Sequence, residues 1–422
     1  MYSVFIRVTI YCTRKLFNVS MIKMLVFLIF VIGIFLRTYN FSSRLIFGPE
    51  QGMSFITAAS NLEKFSLLGE TNFIRATSDS HILFHGAYYS YFLLPFLKIF
   101  NFQILPITII FLILNLVTGL VLYLVTKKFF GKLIATFSLF YFMTSAVMIH
   151  HSLFAWIVNP TPLLSILSLY FFPSPLILGV LSGLGFGMQN LYLPFAFLIF
   201  ILIIYKSKNK FLSVFLFFTG LIIGSLPTVI FDLRHNFYHL RTYWQFFIDT
   251  LSGQSPGSTS YYNFLYLFPY LFIVLAYITH YLYKKNKFLT LIPILLFLYL
   301  NITSSFFDLK KSTGMPSGLT YQSISTFASS INNDNPPENF NVATLWDFDT
   351  RAYPLRFLLK YVYGKSPKGL EDYQNLDTLY VAAPQNYDIK NPNVWELSVH
   401  QPYQVSEIPT SISGYKLYKL NK

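Results

Sequence analysis

Acidic residues are scarce in this chain, and where they sit is the first sign of chemistry. Of its 17 acids only six precede Asp308: Glu50, Glu63, Glu70, Asp79, Asp232 and Asp249. The first four share one polar stretch, Phe47 to Tyr91, which follows a long apolar run. In a chain this apolar, a loop that concentrates ionisable groups is where function is expected. Glu50 stands out. It sits between Gly48-Pro49 and Gln51-Gly52, so a rigid turn presents it where the amphipathic run Met53 to Leu68 begins.

The elements that must hold Glu50 follow from composition. Hydrophobic residues make up 54% of the chain and charged residues 11%, against roughly 25% charged in a soluble domain. The fold class is therefore an α-helical polytopic membrane protein. The 31 Lys and Arg against 17 acids do not indicate nucleic acid, because the basic residues form short clusters between apolar runs, as cytoplasmic anchors do. The single cysteine, Cys12, precedes the first span, so no intrachain disulfide can form. Met21 to Leu36 reads as a retained first helix with its amino end inside, since Arg7, Arg14 and Lys15 precede it and no small-residue cleavage site follows. The apolar Tyr2 to Tyr11 is too short to span and is expected on the membrane surface.

Eight further spans are expected at about 104–126, 133–150, 157–172, 175–190, 191–206, 211–231, 262–283 and 288–306, about nine in all. Tyr88 to Phe102 decides the topology. If it does not cross, Lys127-Lys128, Lys132, Lys206, Lys208, Lys210, Lys284-Lys285 and Lys287 all fall on the cytoplasmic side. The positive-inside rule thus predicts an interfacial or re-entrant helix there, with every acid outside. On this reading residues 1–306 form the membrane domain, with a first outer loop over 39–103 that carries interfacial helices. Residues 307–422 lie outside the membrane and contain a small α/β domain from about 335, where acids return after Pro336-Pro337. Asn341 to Leu345 and Thr378 to Val381 read as strands around a helical Leu355 to Tyr363.

Each candidate residue also has a plainer reading. Glu50 can be a helix-start acid, His85 with Tyr88, Tyr89 and Tyr91 an aromatic belt, and Asn159 in Trp156-Ile157-Val158-Asn159-Pro160 a helix cap. Arg234, His235 and Arg241 can be headgroup anchors. Glu63 beside Lys64 reads as a surface ion pair, and Asp232 as a partner for Arg234. His150 and His151 are neighbours that diverge by about 100° if helical, a poor start for a metal site. No phosphate-cradling glycine loop, H-E-x-x-H motif or cysteine cluster is present.

The ordered set FGPEQG, FHGAYYSYFLLP, WIVNPTP, GFGMQNLYLPF and LPTVIFDLRHNFYHLR, from about Gly33 to Phe247, resembles the integral-membrane glycosyltransferases with the C-type fold. It is most similar to the prokaryotic branch related to protein mannosyltransferases and to the transferases that move aminoarabinose onto lipid A. The likeness continues more loosely into DTRAYPLRFLL. It implies a sugar donor carried on a polyprenyl phosphate, transfer on the outer face of the cell membrane, and Glu50 as general base. Two positions depart from the pattern. Glu50 and Gln51 stand where relatives more often carry Asp-Glu, and Asn190 stands where they often show His.

The chemistry so implied needs cations for the donor phosphate, and Arg234, His235, Arg241 and His85 are best placed. Gln51, Tyr88, Tyr89, Trp156 and Asn159 are the expected substrate contacts. A phosphate leaves without acid help, so one carboxylate suffices, unlike the pair of a glycoside hydrolase. No cofactor is required and no protein-held metal is expected, although some relatives use a divalent ion. The expected partners are the lipid-linked sugar, membrane lipids and an unassigned acceptor. The rival readings are a transporter or flippase of lipid-linked glycan precursors, which would ordinarily place ionisable groups at mid-membrane, and a non-catalytic assembly partner.

Overall fold

The computed structural model describes residues 2–77, 81–254, 260–390 and 392–422, with side chains from Ser20 onward except those of 72–76. Asp79 and the side chain of Cys12 lie outside the described residues. The chain opens with helix α1 (Tyr2–Thr38), which continues unbroken through the segment expected to lie on the membrane surface. A short α2 (Phe41–Arg44) and α3 (Pro49–Ser60) lead into an antiparallel hairpin of β1 (Leu68–Ala76) and β2 (Ile82–Gly86). Then come α4 (Tyr88–Ile99), α5 (Ile104–Phe130), α6 (Lys132–Thr144), α7 (Ala146–His150), α8 (Thr161–Tyr170) and α9 (Pro175–Met188). Helices α10 (Leu193–Lys206), α11 (Lys210–Gly224), α12 (Leu226–Arg234), α13 (Tyr238–Leu251), α14 (Phe268–Lys285) and α15 (Leu291–Ile302) complete the apolar part.

Among the described residues three helical stretches are long and apolar enough to cross a membrane: Ser20–Thr38, Ile104–Phe130 and Tyr261–Lys285. Helices α11 and α12 pass that test only as a pair, bent by 82°. The other apolar stretches expected to span are shorter helices of 10–17 residues. Helix α15, LIPILLFLYLNI, buries none of its side chains, an arrangement that requires apolar surroundings. Helix α4 has 12 residues, about 18 Å of rise against a hydrocarbon core of about 30 Å.

Small residues set the closest helix contact. Gly179 and Gly183 of α9 face Gly220 and Gly224 of α11, and a β-carbon at Gly183 would stand 2.6 Å from the Leu221 carbonyl oxygen. This small-xxx-small stripe lets two backbones touch. Elsewhere Arg37 is fully buried and ties three helices together. It donates to the carbonyl oxygens of Gly33 (3.0 Å) and Met143 (2.9 Å) and to Asn115 Oδ1 (2.9 Å).

Beyond the membrane helices lie α16 (Tyr321–Asn333), β3 (Phe340–Thr344), α17 (Tyr353–Phe357), β4 (Thr378–Pro384), α18 (Trp395–Ser398), β5 (Gln404–Ile408) and β6 (Tyr415–Asn421). The sheet order is β3-β4-β6-β5, with β3 and β4 parallel and the other pairs antiparallel. The expected strands and the helix between them are present, and α16, β5 and β6 add to them. Helix α16 is capped by Thr320, whose Oγ1 accepts from Ser323 N at 3.2 Å. It buries Ile324, Phe327, Ala328 and Ile331, a helical i, i+3, i+4, i+7 face. The run Met53 to Leu68 departs from expectation: the helix stops at Ser60, and Leu68 already belongs to β1. Asn61 ends it by folding back, Nδ2 donating to Thr57 O at 2.9 Å and Oδ1 accepting from Ser66 N at 2.8 Å.

Candidate functional site

Glu50 occupies the first turn of α3, behind Gly48 at the cap and Pro49. Gln51 Oε1 accepts from Gly48 N at 2.9 Å and locks that turn. Gln51, 4% exposed, is therefore first a latch for the backbone that carries Glu50. Burial raises the proton affinity of the Glu50 carboxyl; its own backbone N–H opposes this, and the negative Asp347 reinforces it.

Two more carboxylates bear on Glu50, one bonded to this helix and one through its charge. Glu70, on β1, is buried and accepts a hydrogen bond from Ser54 Oγ, one turn beyond Glu50 on α3. Burial pushes Glu70 up to about 8, with the Ser54 bond opposing and Glu50 reinforcing the shift. Tyr89, 1% exposed, has an unpartnered hydroxyl and feels the Glu70 charge. Asp347 arrives on the loop between β3 and α17. Its Oδ1 accepts from Asp349 N at 2.9 Å, and Asp349 Oδ2 in turn accepts from Tyr353 N at 2.9 Å to start α17. Neither Glu70 nor Asp347 is a candidate from the sequence; Glu70 reaches α3 through its bond from Ser54, and the Asp347 charge is felt at Glu50.

The expected phosphate cations sit at the corner between α12 and α13. Arg234, His235 and Arg241 are exposed there, and no contact among the described residues joins them to Glu50. The His235 ring stacks on Phe231 at 4.1 Å. Asp232 is not the partner of Arg234: it accepts from His239 N (2.7 Å) and Leu240 N (3.1 Å), capping α13. His239 Nε2 meets the Phe84 carbonyl at 3.1 Å and ties α13 to β2, the strand that carries the buried His85. Glu63 pairs with Lys360 of the C-terminal domain, Nζ to Oε1 2.9 Å, rather than with Lys64.

A third group surrounds the loop after α7. His151 Nδ1 meets Asn159 Oδ1 at 2.7 Å, and Asn159 Nδ2 donates to Phe154 O at 2.7 Å. Asn159 thus holds a histidine and does not cap α8, whose cap position is Pro160. Trp156 packs edge-on to Tyr262 at 4.7 Å. The rings of His150 and His151 stand at 82°, and His150 Nδ1 faces Thr313 Oγ1 at 2.8 Å, so the two serve different partners. Tyr88 OH donates to Ile223 O at 3.0 Å.

Where α9 ends, polar residues form a buried knot, of which the sequence singles out only Asn190. Gln189 Nε2 donates to Asn263 Oδ1 at 2.9 Å, Tyr243 OH donates to Asn190 Oδ1, and the amide nitrogens of Asn190 and Asn263 are unpartnered. The signal was available as amides inside otherwise apolar runs. A cavity of about 420 Å³ lies under the loop from Ser304 to Thr320, lined by Asp308, Lys311 and Thr313 among others. Among the described residues no three His, Cys, Asp or Glu side chains gather as a metal site.

No family model and no curated protein matches this chain. Two solved structures are similar to it, both of ArnT from Cupriavidus metallidurans. The apo form is 9% identical, with 95% of this chain and 98% of that chain covered and a TM-score of 0.48. The form bound to undecaprenyl phosphate is 10% identical, with 95% and 97% covered and a TM-score of 0.42. At these values the likeness carries no weight in the functional reading.

Proposed function

We propose that this protein is a membrane glycosyltransferase that moves a sugar from a polyprenyl-phosphate donor to an acceptor hydroxyl on the extracytoplasmic face, with Glu50 as general base. One observation carries the reading. Glu50 is the carboxylate that a Gly-Pro turn and the Gln51 latch hold at a helix start, partly accessible, with its proton affinity raised by burial. A base so tuned lies closer to neutral pH, where proton transfer is most effective.

The acceptor oxygen attacks the anomeric carbon, the bond from that carbon to the phosphate oxygen breaks, and polyprenyl phosphate leaves with the electron pair. Glu50 takes the hydroxyl proton. The prenyl chain lies along exposed apolar helix surface, which retains it at about 0.8 kcal/mol per buried methylene. In this reading the donor phosphate meets Arg234, His235 and Arg241, exposed cations beside the 82° bend. The nine apolar stretches cross or dip into the bilayer, with the C-terminal domain outside the cell membrane. The deciding experiment incubates the detergent-solubilised protein with a panel of polyprenyl-phosphate sugars and measures free polyprenyl phosphate. No release from any donor, with folded protein and varied acceptors, would reject the reading.

A further inference from the structure

We propose that the cavity under the loop from Ser304 to Thr320 is a binding site for a neutral sugar ring, a claim that stands independently of the role given to Glu50. Its volume of about 420 Å³ falls within the roughly 300–1,000 Å³ of small-molecule sites. The loop that roofs it runs from the end of α15 at Ile302 to the start of α16 at Tyr321 without a helix or strand. Connections this long are uncommon in compact folds, and ordered ones usually carry function.

This loop is held from both sides. Asn40 Nδ2 donates to Leu309 O at 3.2 Å, and His150 Nδ1 meets Thr313 Oγ1 at 2.8 Å. A β-carbon at Gly314 would stand 2.7 Å from Ile46 Cδ1, so the loop seats directly on the chain that leads into α3. From the C-terminal domain, Tyr415 OH donates to Ser317 O at 3.0 Å. The cavity is therefore preformed by tertiary contacts, which spares a ligand the cost of ordering its walls.

The lining selects the class of ligand. Asp308 and Lys311 bring one charge of each sign to the cavity, so neither an anion nor a cation is favoured. Asp308 Oδ1 accepts from Lys310 N at 2.7 Å and from Lys311 N at 3.1 Å. Those two N–H groups are spent on a carboxylate and are not offered to a phosphate, which such donors would otherwise suit. The hydroxyls of Ser305, Ser312 and Ser317 line the same space. Each can donate and accept, as the neighbouring hydroxyls of a sugar require. Phe307 adds an apolar wall for the C–H face of the ring.

The test is saturation-transfer NMR on the full-length protein in a detergent without a sugar headgroup. The probes are glucose, mannose, galactose, maltose and cellobiose, with glucose 6-phosphate as the anionic control. Transfer is expected to neutral sugars and less to the phosphate. Ser305→Trp fills the cavity from an exposed position and is expected to abolish the signal. Asp308→Asn, which keeps the Oδ1 acceptor that shapes the loop, is expected to weaken Kd about tenfold. No transfer to any neutral probe, stronger binding of the phosphate, or parental binding in both folded variants overturns the proposal. The release assay separates two sources of the ring: a rise in acceptor KM alone in Ser305→Trp assigns it to the acceptor, and a rise in donor KM alone to the donor. If the parent protein releases no polyprenyl phosphate, the glycosyl-transfer reading falls and the sugar site is judged by the NMR result.

Discussion

Ser54 donates its hydroxyl to Glu70 across the gap between α3 and β1, one helical turn from Glu50 on the same face of the helix. The bond ties the start of the hairpin to the helix that carries the proposed base. It also gives a buried carboxyl a donor, which lessens but does not cancel the cost of charging it away from water.

The first prediction follows from that cost. Glu70 titrates at about 8 in the folded chain, against an ordinary value of 4.5. Between those two pH values the folded state holds a proton that the unfolded state has released, so stability falls as pH rises from 4.5 to 8. Glu70→Gln should flatten this slope and raise the midpoint of thermal unfolding at pH 8 to 9, with little effect below pH 5. Thermal melts of the solubilised protein across pH would check it, and an unaltered slope would show that Glu70 is ionised throughout.

Topology gives the second. Lys127 and Lys128 lie in the last turn of α5, about 35 Å of rise from Ile104. Glu63 and Lys360 join the first outer loop to the C-terminal domain, so both are expected on one side. Tags after Lys128, Lys210 and Lys285 should be cytoplasmic, with the Glu50 loop and the carboxyl terminus outside. Single cysteines in a Cys12→Ser background, labelled in intact cells, would decide. Labelling of Lys285→Cys from outside would refute the arrangement.

The third concerns catalysis. Glu50→Gln should keep folding and donor binding but lower turnover by roughly 10² or more. Glu50→Asp should retain part of the activity with a shorter reach. Glu63→Gln should cost little, because its ion pair with Lys360 is largely exposed and such pairs contribute about 0–1 kcal/mol. Parental turnover in Glu50→Gln would turn the balance toward a non-catalytic assembly partner.

The fourth concerns the donor phosphate. Arg234→Ala should raise the donor KM far more than the acceptor KM, and Arg234→Lys should restore only part, since lysine lacks the planar fork of arginine. An unchanged donor KM would return Arg234, His235 and Arg241 to headgroup anchoring.

What was legible in the sequence depended on how local the signal is. Long apolar runs ending in basic residues mark α1, α5 and α14 because span length and end charges are read along the chain. The strands β3 and β4 show as short apolar runs after Pro336-Pro337. The hairpin β1-β2 was hidden because Met53 to Ser60 is amphipathic at helical spacing and the pattern runs on into Leu68 without a proline. A turn motif marks Glu50 and Gln51, whereas Glu70 and Asp347 lie 20 and 297 positions from Glu50 in the sequence, and their influence on it depends on the fold. Asp232 was misassigned because nearness to Arg234 in sequence says nothing of the next helix, whose first N–H groups it caps.

The short helices carry one more consequence. Helices α8, α9, α10 and α11 have 10 to 15 residues, about 15–22 Å of rise where the hydrocarbon layer is about 30 Å thick. A bilayer around them meets this hydrophobic mismatch by thinning, at a cost of fractions of a kcal/mol per Å. Lipid around these helices is then expected to be thinner than the surrounding bilayer, and under the proposed function the headgroup of a lipid-linked donor would lie deeper there.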